Sequence, residues 1–297
     1  MGADNEDMDD IDVTKNKSSI RRRLNAQIDT KWADLILLAC FYCSGLIDSM
    51  AFNMYGCFVS MQTGESPQHA PPRRYINASE GNTIFIGLGV NGQPDSAPAY
   101  SWSKSLVAVL CFALGALFFS TFHRTFGPQR RWVLIFSFSL QALLVGIVSI
   151  IVTTNTVPNH PPTVVTSNKD GFLTFRLPSD FPKSDFGPIA LLAFQSAGQI
   201  VASRALKYNA MPTVVLTSLY CDLMSDAQLF TAPLPANADR NRRFLGAVLL
   251  LAGAISGAFL TKSGAGFMGG LWIGCFLKLC MAGAWLLWRE KKVTLKN

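Results

Sequence analysis

Ala33-Asp34-Leu35-Ile36-Leu37-Leu38-Ala39-Cys40-Phe41-Tyr42-Cys43-Ser44-Gly45-Leu46-Ile47-Asp48-Ser49-Met50-Ala51-Phe52-Asn53-Met54-Tyr55-Gly56 is the stretch that decides the fold. Between Asp34 and Gly56 it carries one charge, Asp48. A helix needs roughly 20 mostly apolar residues to cross the hydrocarbon core, and this run is long enough. Five more runs resemble it, at 104–122, 132–152, 187–206, 244–262 and 266–288. The composition agrees: 49% of the 297 residues are hydrophobic, 15% are charged, and mean hydropathy is +0.27. Of the 45 charged residues, 14 fall in the first 34 positions. A disordered chain is thereby excluded. The net charge of +7 does not point to nucleic acid, because the bases flank apolar runs instead of sharing one face.

Two further stretches are apolar but interrupted. One is Cys57 to Gly64, resumed at Gly81 to Val90. The other is Met211 to Phe230, which holds Thr213, Thr217, Ser218, Asp222, Ser225 and Asp226. Polar groups at membrane depth are tolerated where they line a cavity or are packed in protein. The expected fold is therefore all-α and polytopic, with six spans plus two interrupted or re-entrant segments; seven or eight spans is the alternative. Under six spans, 18 Lys and Arg residues fall on one side and seven on the other, with Lys278 inside a span. The positive-inside rule then places both termini in the cytosol. No retention signal is evident, and the plasma membrane is the default location.

The first 32 residues form an acidic-then-basic tail, Asp4 to Asp12 followed by Arg21-Arg22-Arg23, read as disordered and cytosolic. No apolar segment with a cleavage site precedes the first span. Residues 291–297 form a second, basic tail. The partners these features imply are the lipid bilayer and an unknown small solute or ion, with no nucleic acid. Gly253/Gly257 and Gly270/Gly274 are G-x-x-x-G pairs, which permit close packing within the chain or in a homo-oligomer.

The two halves, about 33–152 and 187–290, echo each other. Ser44-Gly45 precedes Val59-Ser60-Met61-Gln62-Thr63-Gly64, and Ser196-Ala197-Gly198 precedes Val214-Val215-Leu216-Thr217-Ser218. Three spans per half would invert one half relative to the other, the plan of many transporters and channels.

At these residues the chain resembles the YoaK-like membrane proteins, catalogued as domain of unknown function 1275. The pattern Gly45-x-x-Asp48-Ser49-x-x-Phe52 is similar to the family's first-helix signature. Gln199-x-x-Ala202-Ser203-Arg204 and Thr217-x-x-x-x-Asp222 match its second-half pieces, with Ser218 where Gly is usual. The resemblance covers roughly 33–290 and implies a small multi-pass membrane protein. It implies no activity.

The family's Thr-Gly-Asn-Thr segment is split here between Thr63-Gly64 and Gly81-Asn82-Thr83. Removing the 17 residues Glu65–Gly81 restores it. Those codons span 51 nucleotides, a short-intron length, and Gly64-Glu65-Ser66 can encode a splice donor. Residues 65–81 are read as an insertion or retained intron. The rival is a real outer loop bearing the sequon Asn77-Ala78-Ser79.

Candidate chemistry follows from polar residues in the spans. Asp48, Asp222, Asp226 and Lys278 are the deep ionisable groups, and Lys278 is expected to pair with Asp48 or Asp222. Gln62, Thr63, Asn82, Thr83, Thr217 and Ser218 sit at the helix breaks, where free backbone groups bind small polar solutes or ions. Asp48, these six and Asp222 make the candidate substrate-binding set. The seven cysteines fall in apolar runs and read as packing residues. The three histidines read as loop residues, and no metal, cofactor or catalytic set can be assembled. The expected function is a transporter or channel and not an enzyme; a non-transporting scaffold or regulatory protein is the alternative.

Overall fold

The computed structural model describes residues 21–61, 81–92, 102–159, 164–167, 173–176, 183–231 and 233–291. Six long helices carry the fold. These are α1 (Asp34–Tyr55), α3 (Trp102–Phe126), α4 (Arg131–Thr153), α5 (Phe186–Ala205), α7 (Ala238–Lys262) and α8 (Gly266–Leu287). Each is long and apolar enough to cross a membrane. A 22-residue helix such as α1 rises about 33 Å at 1.5 Å per residue, against a hydrocarbon core of about 30 Å. Two short helices of nine residues each occupy the interrupted stretches: α2 (Asn82–Val90) and α6 (Leu216–Met224). The expected six spans with two partial segments are what the chain forms. A small antiparallel hairpin pairs Val164–Ser167 with Leu173–Arg176.

The breaks have local causes. Gly56 ends α1 at φ 72°, and its N–H returns to the Phe52 carbonyl at 2.9 Å. This left-handed cap suits glycine. At the end of α5 the same role falls to Lys207, at φ 66°, a conformation that costs a non-glycine residue roughly 1 kcal/mol or more. Asn237 caps α7 by accepting the Arg240 N–H at 3.0 Å.

Helices pack in three main pairs: α1 with α7, α3 with α5, and α4 with α8. Glycines set the first two. A Cβ on Gly45 would run into the Leu250 carbonyl, one on Gly253 into the Tyr42 carbonyl, and one on Gly115 into the Phe194 carbonyl. Both G-x-x-x-G pairs are used inside the chain, Gly253/Gly257 against α1 and Gly270/Gly274 against Met50 and Ile47.

Two apolar clusters fill the interior. One gathers Phe41, Leu134, Phe138, Met211 and Trp285. The other gathers Leu46, Met50, Val145, Leu192 and Phe267. Outward faces are apolar too: Leu117, Leu143, Leu251, Phe259 and Phe276 are all exposed, as bilayer contact requires.

The described segments 27–29 and 289–291 meet at one end of the bundle. Ile28 bridges Glu290, and the Asp29 N–H donates to the Arg289 carbonyl at 2.9 Å. Arg131, 1% exposed, donates to the carbonyls of Arg23 (3.0 Å) and Trp288 (2.6 Å) and to Glu290 Oε1 (3.2 Å). An even number of crossings follows. His123, expected in a loop, is buried in the last turns of α3; that helix outlasts its apolar run. His69 and His160 lie outside the described residues.

Candidate functional site

Between the two apolar clusters lies a buried polar layer. Ser44 of α1, Gln141 of α4, Gln199 of α5 and Lys278 of α8 are each 3% exposed or less. Each stands near the middle of its own helix. Lys278 Nζ donates to Gln141 Oε1 at 2.7 Å and to Gln199 Oε1 at 2.6 Å. It also stands 5.7 Å from the Phe138 ring centroid. An ammonium only donates, so it fixes both amides with oxygen inward. Their NH2 ends therefore point away. Gln141 Nε2 reaches Ser137 Oγ at 3.4 Å, and Gln199 Nε2 reaches Ser44 Oγ. Ser44 in turn donates to the Thr213 carbonyl at 2.9 Å. The result is a directed chain from Lys278 through Gln199 and Ser44 to the segment before α6.

Asp48 lies one turn beyond Ser44 on α1, about 6 Å along the axis, and is 2% exposed. Its carboxylate accepts the Val59 N–H at 2.9 Å, the Ser60 N–H at 2.8 Å, and the Ser60 hydroxyl. It caps the backbone freed where α1 breaks. The Val59 carbonyl accepts Ser196 Oγ of α5 at 3.0 Å. Asn82, 0% exposed, clasps Phe58: it accepts the Phe58 N–H at 3.1 Å and donates to its carbonyl at 2.6 Å.

The expected pairing of Lys278 with Asp48 or Asp222 is corrected. Among the described residues no ion pair includes Lys278. Backbone N–H groups claim Asp48, and two glutamine oxygens claim the lysine. Asp222, with Thr217 and Ser218, is exposed on α6, because the buried side of that short helix presents Leu219 and Leu223. These three do not join the buried layer. Asp226 is not in a span: it follows α6, accepts the Gln228 N–H and Asn237 Nδ2 at 2.9 Å each, and lies 3.9 Å from Arg243. The two hydrogen bonds hold its carboxyl below the usual range. Thr83 faces outward on α2. Gln62, Thr63 and residues 65–80 lie outside the described residues.

Sequence reasoning passed over Ser44, Gln141, Gln199 and Ser196 as site members. The signal was present: each is a polar residue near the centre of an apolar run. What hid them is that neutral side chains cost less to bury than charges.

Together these features define a polytopic α-helical membrane protein with an occluded polar centre built around two helix breaks. The chain belongs to the family described as "Protein of unknown function (DUF1275)", whose profile matches residues 73–284. The match begins after Gly45–Phe52 and Thr63-Gly64, so the likeness at those residues rests on their own motifs. No curated protein and no solved structure matches the chain.

Proposed function

We propose that the protein is a small transporter for a polar solute or ion, built from two inverted repeats and working at the plasma membrane with both termini cytosolic. The observation that carries this reading is a reciprocal pair of hydrogen bonds. Ser44 of the first half holds the Thr213 carbonyl of the second half's break, and Ser196 of the second half reaches the Val59 carbonyl of the first half's break at 3.0 Å, sharing its hydroxyl with the Ala193 carbonyl of its own helix at 2.8 Å. Val59 and Thr213 each stand four residues before the paired threonines Thr63 and Thr217.

The helix pairing supports the same symmetry. Exchanging α1 with α5 and α3 with α7 turns the α1–α7 pair into the α5–α3 pair and returns α4–α8 to itself. Broken helices that meet near the middle of an inverted repeat are a transporter's site plan. A charge buried at that depth is costly, and its retention supports a functional role for Lys278.

The scaffold reading draws on one fact, that Lys278 and Gln141 are fully buried. A transporter in its occluded state shares that property. Flux separates the two. Purified full-length protein in proteoliposomes, tested against a panel of small ions and polar solutes, is expected to give saturable, protein-dependent flux of at least one. Silence across the panel would leave the scaffold.

A further inference from the structure

We infer that the transported species is a small anion and that Lys278 is its counter-charge; the inference rests on the transport reading above. It begins with the two buried charges. Asp48 is already saturated by donors from Val59 and Ser60, so a cation would have to strip N–H and O–H groups from it. Lys278 is the opposite case. Its partners among the described residues are two neutral amide oxygens and a ring face, so there its positive charge meets dipoles and no anion.

The same network reaches one more donor. Thr213 is fully buried, and its hydroxyl has no partner among the described residues. It lies two residues before Val215, the N-cap of α6, which makes no side-chain cap bond. Thr213 is joined to Lys278 through Ser44 and Gln199.

Gln141 and Gln199 make the site convertible. In the occluded centre their oxygens face the ammonium. An entering anion takes that place, and rotating the amides turns NH2 donors inward. For Gln199 this rotation withdraws Nε2 from Ser44, the serine that holds the Thr213 carbonyl. Occupancy and the docking of the second broken segment are therefore coupled through one side chain. The ligand class is a small inorganic anion or short carboxylate, because it must replace two amide oxygens around one ammonium between packed apolar clusters.

The test uses purified full-length protein with sodium chloride, nitrate and acetate at constant ionic strength, read by thermal shift in detergent and by flux in proteoliposomes. Potassium and lithium salts, with the anion held fixed, serve as the cation arm. The expected result is saturable protection and flux by at least one anion. Gln199→Glu supplies an internal carboxylate to Lys278 and should weaken anion protection at least tenfold while leaving the melting temperature unchanged or raised. Lys278→Met should abolish protection, and Lys278→Arg should retain part of it. Flux of a cation or neutral solute with every anion inert overturns the anion assignment and leaves transport standing. Lysine-dependent anion binding without flux supports the site and removes the transport reading. Neither binding nor flux overturns both.

Discussion

Lys278 is the thirteenth residue of a 22-residue helix, about as far from water as a side chain in this protein can be placed. At the residue scale the centre is governed by how such a group is solvated. Two amides replace water around the lysine, and one directed chain links it to a helix break. The serines at the two breaks are testable. Ser44→Ala strands the Thr213 carbonyl and Gln199 Nε2, whereas Ser196→Ala removes a hydroxyl shared between the Val59 and Ala193 carbonyls. Ser44→Ala should destabilise the protein by about 1–2 kcal/mol, above the roughly 0.6 typical of membrane hydrogen bonds, and Ser196→Ala by about that typical value. Ser256→Ala loses an i−4 bond within α7 and should cost less than about 0.5 kcal/mol. Denaturation in mixed micelles orders the three, and equal losses at Ser44 and Ser256 would contradict the account.

At the element scale, close helix approach decides α1–α7 and hydrogen bonding decides the α6–α7 turn. Gly45→Ala and Gly253→Ala put a methyl group into a facing carbonyl and should each cost about 2 kcal/mol or more as the helices separate. Gly283→Ala, where a Cβ meets nothing within 4 Å, should gain about 0.5–1 kcal/mol from helix propensity. Melting temperatures of the three variants report the split. The turn after α6 is pH-sensitive through Asp226. Its folded carboxyl is depressed, chiefly by the Gln228 N–H and then by Asn237. Its stabilisation is complete above the unfolded value near 3.9 and is lost as pH falls through the lower folded value. Amide protection over 226–237, taken relative to the intrinsic exchange rate at each pH, should therefore fall between pH 5 and pH 3 in the native protein. Asp226→Asn should show the same protection at both, and a pH step surviving in that variant would point to another group.

Across the whole molecule, Arg131 ties Arg23, Trp288 and Glu290 together at one end of the bundle. Arg131→Met should release 21–31 and 288–291 while the six helices persist, seen as faster tryptic cleavage at Arg23 and Arg289 with unchanged helical circular dichroism. Its buried charge makes at least three bonds, so the local loss should be about 3 kcal/mol. The 65–81 stretch is also a question at this scale. Its far edge supplies Gly81, the N-cap of α2. Deleting 65–81 sets Gly64 before Asn82 in its place. The six residues from 59 to 64 then span up to roughly 20 Å, enough to return Asn82 to Phe58. The shortened chain should keep the native melting temperature and membrane insertion, and the majority transcript should lack these codons.

Sequence alone determined the class, the six spans and the two broken segments, because burying some 20 unpaired backbone amides in hydrocarbon leaves the helix as the open-chain solution. Apolar run length reports that directly. It also placed Asp48, Asn82 and Lys278 at depth. Only the tertiary structure decided their partners. Two opposite charges in neighbouring helices read as a pair, yet backbone donors released at a helix break lie nearer to Asp48 than the lysine does, and they outcompete it. Exposure of Thr217, Ser218 and Asp222 was likewise undecidable from spacing, since a nine-residue helix takes its orientation from whatever helix it packs against. Which polar group meets which depends on the crossing of helices as far as 208 residues apart in sequence, and that is set by where glycines let backbones touch.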